Sequence, residues 1–193
     1  MNENQNDHLG RKLVYEDNSP LHWQIVGAGD DLPDFAQLDA DNEKTFQVIA
    51  ALDRILFDSF DEETERHAPE LTRIEHKLNM VIDLVLLLLR QFQAQSESVP
   101  VLMTAQTLQW SSQNPAPAEG DHLLVDVYLG QGYPKPVRFY GCVETVQQEE
   151  DLSTTVLLKF EQMGEAVLDS LERLIFRQHR RRVAKARREK NSI

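Results

Sequence analysis

Apolar positions change their period twice along the chain. Phe46, Ile49, Leu52 and Leu56 recur at helical spacing, and Asp41 or Asn42 before them can cap a helix beginning at Glu43, because a short polar side chain accepts from amides that lack an intrahelical partner. An acidic run, Asp58 to Glu65, breaks that pattern, and Pro69 then suits the first turn of a second helix near Glu70, where a missing amide hydrogen costs little. In this second helix Leu71, Ile74, Leu78, Val81, Val85, Leu88 and Phe92 fall at alternating intervals of three and four. Such a heptad seam stays on one side of supercoiling helices and buries itself against a partner, which we take to be another copy of the chain. The outward positions His76, Asp83 and Arg90 are polar, while Ile82, Leu84, Leu86, Leu87 and Leu89 widen the apolar surface. That width predicts three or four associated helices, or cover from a neighbouring helix. An ordinary core helix of a monomer is the plain alternative.

Beyond Val99 the period becomes two. Val101, Met103 and Ala105, then Leu108 and Trp110, predict a first strand pair, and the proline-rich Asn114 to Gly120 a loop. Gly120-Asp121 opens a strand over His122 to Leu129, where Leu123, Val125, Val127 and Leu129 share one face. A further strand over Val137 to Val146 places Val137, Phe139, Gly141, Val143 and Thr145 together, and Thr154 to Phe160 forms the next. Short strands at this spacing predict a small barrel. From about Glu165 the helical period returns: Val167, Leu171, Leu174, Ile175 and Phe176 pack, while Arg173, Arg177, Arg180 and Arg181 stay in water. Near the N-terminus, Ser19 to Gly27 reads as a strand or an extended arm.

Charge and composition narrow the picture. The net charge of −12 divides into about +8 from residue 173 onward (9 Lys and Arg against 1 acid) and −20 before it (11 against 31). An acidic body of this kind disfavours non-specific nucleic-acid binding, whereas a basic helix end can attract an anion. The polar N-terminus and the single cysteine, Cys142, predict a cytoplasmic protein without an intramolecular disulfide. No membrane span is expected, because the apolar run Leu84 to Leu89, bracketed by Asp83 and Arg90, is far short of the roughly 20 residues a crossing needs.

Little in the sequence suggests catalysis. The six histidines are scattered and form no metal-ligand pair. Cys142 lies inside a predicted strand without a histidine neighbour in sequence and reads as core. Gly27-Ala28-Gly29 is too short for a dinucleotide fingerprint, and Asp58 to Glu65 lacks the spacing of a calcium loop. The anion-directed feature is the segment Arg177 to Lys190, whose arginine forks match phosphate. It could equally be a solvated helix end that complements the helix dipole.

The order Val99 to Trp110, Gly120-Asp121, the Gly141-Cys142-Val143 strand and the segment Leu171 to Arg181 resembles a PilZ domain, the bacterial barrel family that includes cyclic di-GMP receptors. With Leu21-His22-Trp23, Asn42-Glu43 and the heptad helix, the chain resembles the atypical, tetramer-forming PilZ subfamily. The resemblance implies an α+β protein: a small antiparallel β-barrel with a C-terminal helix, and a helical part whose long heptad helix oligomerises. It divides the chain into an extended or irregular N-terminal arm (1–41), a helical hairpin (42–98) with its heptad helix at 70–95, and a barrel with a basic C-terminal helix (99–193). Typical receptors carry an RxxxR motif before the first barrel strand, yet Gln91 to Pro100 contains no arginine. Their (D/N)xSxxG motif falls here on Leu102, Thr104 and Thr107, of which Thr104 alone keeps the matching hydroxyl.

The resemblance therefore implies a non-enzymatic, oligomeric adaptor in cyclic di-GMP-linked regulation that does not grip the nucleotide by the usual motifs. It needs no cofactor, and its expected partners are copies of itself, as a tetramer or trimer, and unidentified signalling proteins. Two alternatives stand beside it: a cyclic di-GMP receptor that uses Arg177, Arg180 and Arg181, and a nucleic-acid-associated protein acting through the basic tail.

Overall fold

The computed structural model describes residues 13–27, 32–57, 98–112, 116–129, 133–148 and 153–190, together with positions 74, 77, 78, 80, 81 and 85. Six strands close into an antiparallel barrel: β1 (Tyr15–Ile25), β2 (Ser98–Met103), β3 (Thr107–Ser112), β4 (His122–Val127), β5 (Val137–Gln148) and β6 (Thr154–Phe160). Around the barrel the order is β1-β2-β3-β6-β5-β4. The N-terminal arm expected over residues 1–41 thus contains a full barrel strand. β1 pairs with β2 through its first half (Tyr15↔Met103 to Pro20↔Ser98) and with β4 through its second (Leu21↔Val127 to Ile25↔Leu123). Strand, rather than loose arm, is the outcome because both of its edges find ladder partners, which a polar backbone in a packed sheet requires.

Alternation sets which face is buried. Leu123, Val125 and Val127 of β4 are fully buried, as are Val101 and Met103 of β2 and Leu108 of β3, and they join Trp110, Val156 and Leu158 in one core. On β5 the predicted face holds for Val137, Phe139, Gly141 and Val143 and then fails. The register slips between Val143 and Thr145, so Val143 faces Leu158 while Val146 faces Val156. Glu144 is the inserted residue. A bulge reverses the parity of all that follows, so Val146 packs against the core and Thr145 leaves the inner face. Gly141 permits a close strand approach, since a Cβ there would collide with the Lys159 carbonyl oxygen. Gly120, at φ +88°, supplies the left-handed turn before β4, and Asp121 accepts from Ala118 N at 2.8 Å to hold it.

Two helices complete the described architecture. α1 (Phe35–Phe57) starts eight residues before the predicted Glu43. Its cap is Asp34, which accepts from the amides of Ala36 and Gln37 at 3.0 and 3.2 Å, while the Asp34 carbonyl takes the first helical hydrogen bond from Leu38. Neither Asp41 nor Asn42 caps the helix. Asn42 instead turns inward, accepting from the Arg138 amide at 2.9 Å and donating to the Arg138 carbonyl at 2.7 Å. β6 has ended at this level, its pairing with β5 starting at Gly141, so a side-chain amide completes the ladder that a strand would have supplied.

α2 (Glu165–Lys190) buries Val167, Leu171, Leu174 and Ile175 in the barrel core, but Phe176 is 48% exposed and lies outside it. At about 100° per residue Val167, Leu171, Leu174 and Ile175 share one stripe, whereas Phe176 falls about 100° beyond its edge at Ile175. Gly164, just before α2, lies so close to Asp39 of α1 that a Cβ would strike its carboxylate. Of the predicted seam, Ile74, Leu78, Val81 and Val85 are helical, and Leu71, Leu88 and Phe92 lie outside the described residues.

Candidate functional site

Three strands and one helix meet around an open groove of about 530 Å³. Its floor is the outer face of β1, β2 and β3, where the register places Glu16 beside Leu102 and Leu102 beside Gln109, with Asn18 next to Pro100. Arg182 of α2 forms one edge and donates to Glu16 Oε2 at 2.6 Å. Leu102, the first of the three motif positions, therefore lines the groove with an aliphatic side chain in place of an amide or carboxylate. Thr104 and Thr107 do something else. Their hydroxyls share a hydrogen bond of 2.8 Å, and Thr104 Oγ1 also accepts from the amides of Gln106 and Thr107 at 3.1 and 3.0 Å. Both threonines thus build the β2–β3 turn, as short hydroxyl side chains commonly do.

The C-terminal arginines divide among separate partners. Arg177 and Arg181, four residues apart and so on one face of α2, both approach Asp53 of α1, at 3.6 and 3.2 Å. The sequence pattern had assigned them to water. Arg180 lies 5.9 Å above the ring of Phe176 on its own helix. Among the described residues of the basic run it is Arg182 that lines the groove, a tail arginine the sequence offered for an anion but outside the trio Arg177, Arg180 and Arg181. One signal was available: Arg180, Arg181 and Arg182 are consecutive, so they point about 100° apart and cannot all serve one site.

A second polar cluster occupies the outer face of β4 and β5. Cys142, read as core, is partly exposed, and its cross-strand neighbours are His122 and Lys159. His122 approaches Glu161 at 3.5 Å and stacks on Tyr140 with centroids 5.8 Å apart, while Tyr140 meets Phe35 of α1 edge-on at 5.2 Å. Burial, then the Glu161 charge, raises the Tyr140 phenol above its ordinary range. Nearby, Arg138 holds Asp126 through two hydrogen bonds of 2.6 and 2.9 Å, the planar fork that arginine and carboxylate favour.

A third surface is apolar. Ile74, Leu78, Val81 and Val85, with Met80, are 47–61% exposed on the single chain. Among the described residues no group of three or more metal-ligating side chains is placed to hold an ion, and no helix is long and apolar enough to cross a membrane.

The architecture is thus a closed antiparallel barrel with a helix packed into its core and a polar-edged groove across three strands. A family model described as an atypical PilZ domain, cyclic di-GMP receptor, matches residues 46–188, and the chain belongs to that family. Among solved structures it is similar to a tetrameric PilZ domain of Xanthomonas campestris, a pathogenic protein self-assembled via a helical bundle. The two chains share 20% identity over 91% of this chain and 92% of the other, with a TM-score of 0.66, a likeness of fold. No curated protein matches the sequence.

Proposed function

We propose that the protein is a self-associating PilZ module that acts as an adaptor in cyclic di-GMP-linked signalling, without catalysis and without gripping the nucleotide by the usual motifs. The exposure of Ile74, Leu78, Val81 and Val85 carries this reading. These positions sit at intervals of four, three and four on helical backbone, and the sequence extends the seam to Leu71, Leu88 and Phe92. Burying a large aliphatic side chain contributes about 1.5–3 kcal/mol, so the four described positions alone favour association by several kcal/mol per helix. The helical-bundle assembly of the Xanthomonas protein supports the same reading. So does Leu102 in the groove, since each charge-assisted contact absent from the usual motif is worth roughly 1.5–3 kcal/mol. Replacing Val81 and Leu88 by glutamate should reduce the mass in light scattering to that of one chain, 22.2 kDa, with the barrel still folded. An unchanged oligomer would sink the reading.

A second reading, a cyclic di-GMP receptor working through the C-terminal arginines Arg177, Arg180 and Arg181, draws support from Arg182 at the edge of the groove. It expects micromolar or tighter binding by calorimetry, lost in Arg177→Ala with Arg180→Ala. Absence of heat at millimolar nucleotide counts against it. The tail as a nucleic-acid contact predicts retention in low-salt gel shifts that fades as salt rises, and unchanged mobility rejects it.

A further inference from the structure

Asp53 is the internal partner of two arginines of the basic segment, Arg177 and Arg181. It stands on the penultimate turn of α1, and its side chain is 13% exposed between Arg177 and Arg181 of α2. The fit is incomplete. Arg181 Nη1 donates to Oδ1 at 3.2 Å, but Arg177 Nε and Asp53 Oδ2 stand 3.6 Å apart, both enclosed and neither with a hydrogen-bond partner in the protein. Arg138 with Asp126 shows what a satisfied fork looks like in the same molecule, at 2.6 and 2.9 Å. One planar carboxylate offers two oxygens, whereas two guanidiniums on one helix face offer up to ten N–H donors. A tetrahedral phosphate, with more oxygens and more charge, matches that donor set better.

We propose that Arg177 and Arg181 form a binding site for a small phosphate-bearing anion, and that Asp53 occupies it as a built-in counter-ion. An incoming phosphate binds by displacing the carboxylate, which removes an ionic tie between α1 and α2. The inference deepens the receptor reading: it names the phosphate contact and what restrains it. It does not depend on self-association.

The test is calorimetric titration of the full chain with inorganic pyrophosphate, comparing wild type with Asp53→Asn at matched ionic strength. The variant should bind at least ten-fold more tightly, and the gain should vanish when Arg177→Gln and Arg181→Gln are added to it. Equal affinities, or a gain that survives loss of both arginines, overturns the proposal. Should Asp53→Asn fail to fold, amide exchange in the wild-type chain decides. Pyrophosphate, but not chloride of equal ionic strength, should speed exchange around Asp53, and unchanged exchange is the contrary result. A short single-stranded oligonucleotide titrated in parallel identifies the source of the phosphate, and tighter binding of it than of pyrophosphate by Asp53→Asn overturns the assignment to a small anion. Light scattering on the same samples reports assembly, so a failure of the self-association reading is seen separately from a failure of the anion site.

Discussion

Asn42→Ala isolates a contact that joins the helical part to the barrel. The wild-type side chain is 4% exposed and meets both backbone groups of Arg138, at 2.7 and 2.9 Å. A neutral hydrogen bond contributes about 0.5–1.5 kcal/mol net, while a buried group left without a partner costs about 1–3 kcal/mol. Alanine strips two such groups at once, so the expected loss is about 2–4 kcal/mol, toward the upper end if water cannot reach β5. For a chain of this size each kcal/mol moves the melting temperature by about 2–4 °C, which places the shift at about 4–16 °C. Melting should be followed by circular dichroism at one fixed protomer concentration, because association adds its own stability. Asn42→Asp sharpens the test. Its carboxylate can still accept from the Arg138 amide but opposes the Arg138 carbonyl with a second acceptor, so it should be destabilised at neutral pH and partly recover in acid, once protonation restores a donor. A melting temperature for Asn42→Ala within about 1 °C of wild type would refute the argument that this amide completes the sheet.

Two further outcomes follow. Tyr15 is almost fully buried, and burial, then the charge of Asp17, pushes its phenol far above the ordinary value. The folded state therefore keeps a proton that the unfolded chain releases near pH 10, so stability should fall as pH rises beyond about 10. Tyr15→Phe should flatten that slope in alkaline denaturation, and an identical slope would contradict the assignment. Ile175 is 2% exposed and Phe176 48%. Ile175→Ala should cost about 2–5 kcal/mol and Phe176→Ala less than about 1 kcal/mol in chemical denaturation; comparable losses would mean that Phe176 is covered in the assembled protein.

What the sequence revealed depended on how local each cause was. Leu123, Val125 and Val127 announce their strand because alternation and burial are decided within a few residues. The bulge at Glu144 was illegible, since one inserted residue changes neither composition nor propensity and shows only when Val143 and Val146 are paired with β6. The start of α1 was misplaced because Asp34, Asp41 and Asn42 are all good caps by type. What distinguishes them is that Asn42 has Arg138, 96 residues away, to satisfy. The same distance effect hid the candidate site. Arg177 and Arg181 looked solvated until Asp53 was brought to them, and Cys142 lacked a histidine neighbour until β4 placed His122 opposite it. Leu102, Thr104 and Thr107 could be located by motif spacing, but not the division of labour that puts the first in the groove and the other two in a turn.

The pairing of Pro20 with Ser98 has a kinetic consequence. The barrel takes its first strand from one side of the helical part and its second from the other, so the 77 residues between that pair are a loop the chain must close before β1 and β2 meet. For a flexible loop of that length the closure term is roughly 4 kcal/mol plus a constant. Formation of α1 shortens the effective loop, and docking between copies would restrict it further. On a ribosome, moreover, β1 emerges long before β2 or β4 exists to receive it, while helical segments that need only local contacts can form at once. Barrel closure should therefore come late, and where copies associate through the inserted helix, its rate should rise with protein concentration, making assembly an aid to folding as well as its product.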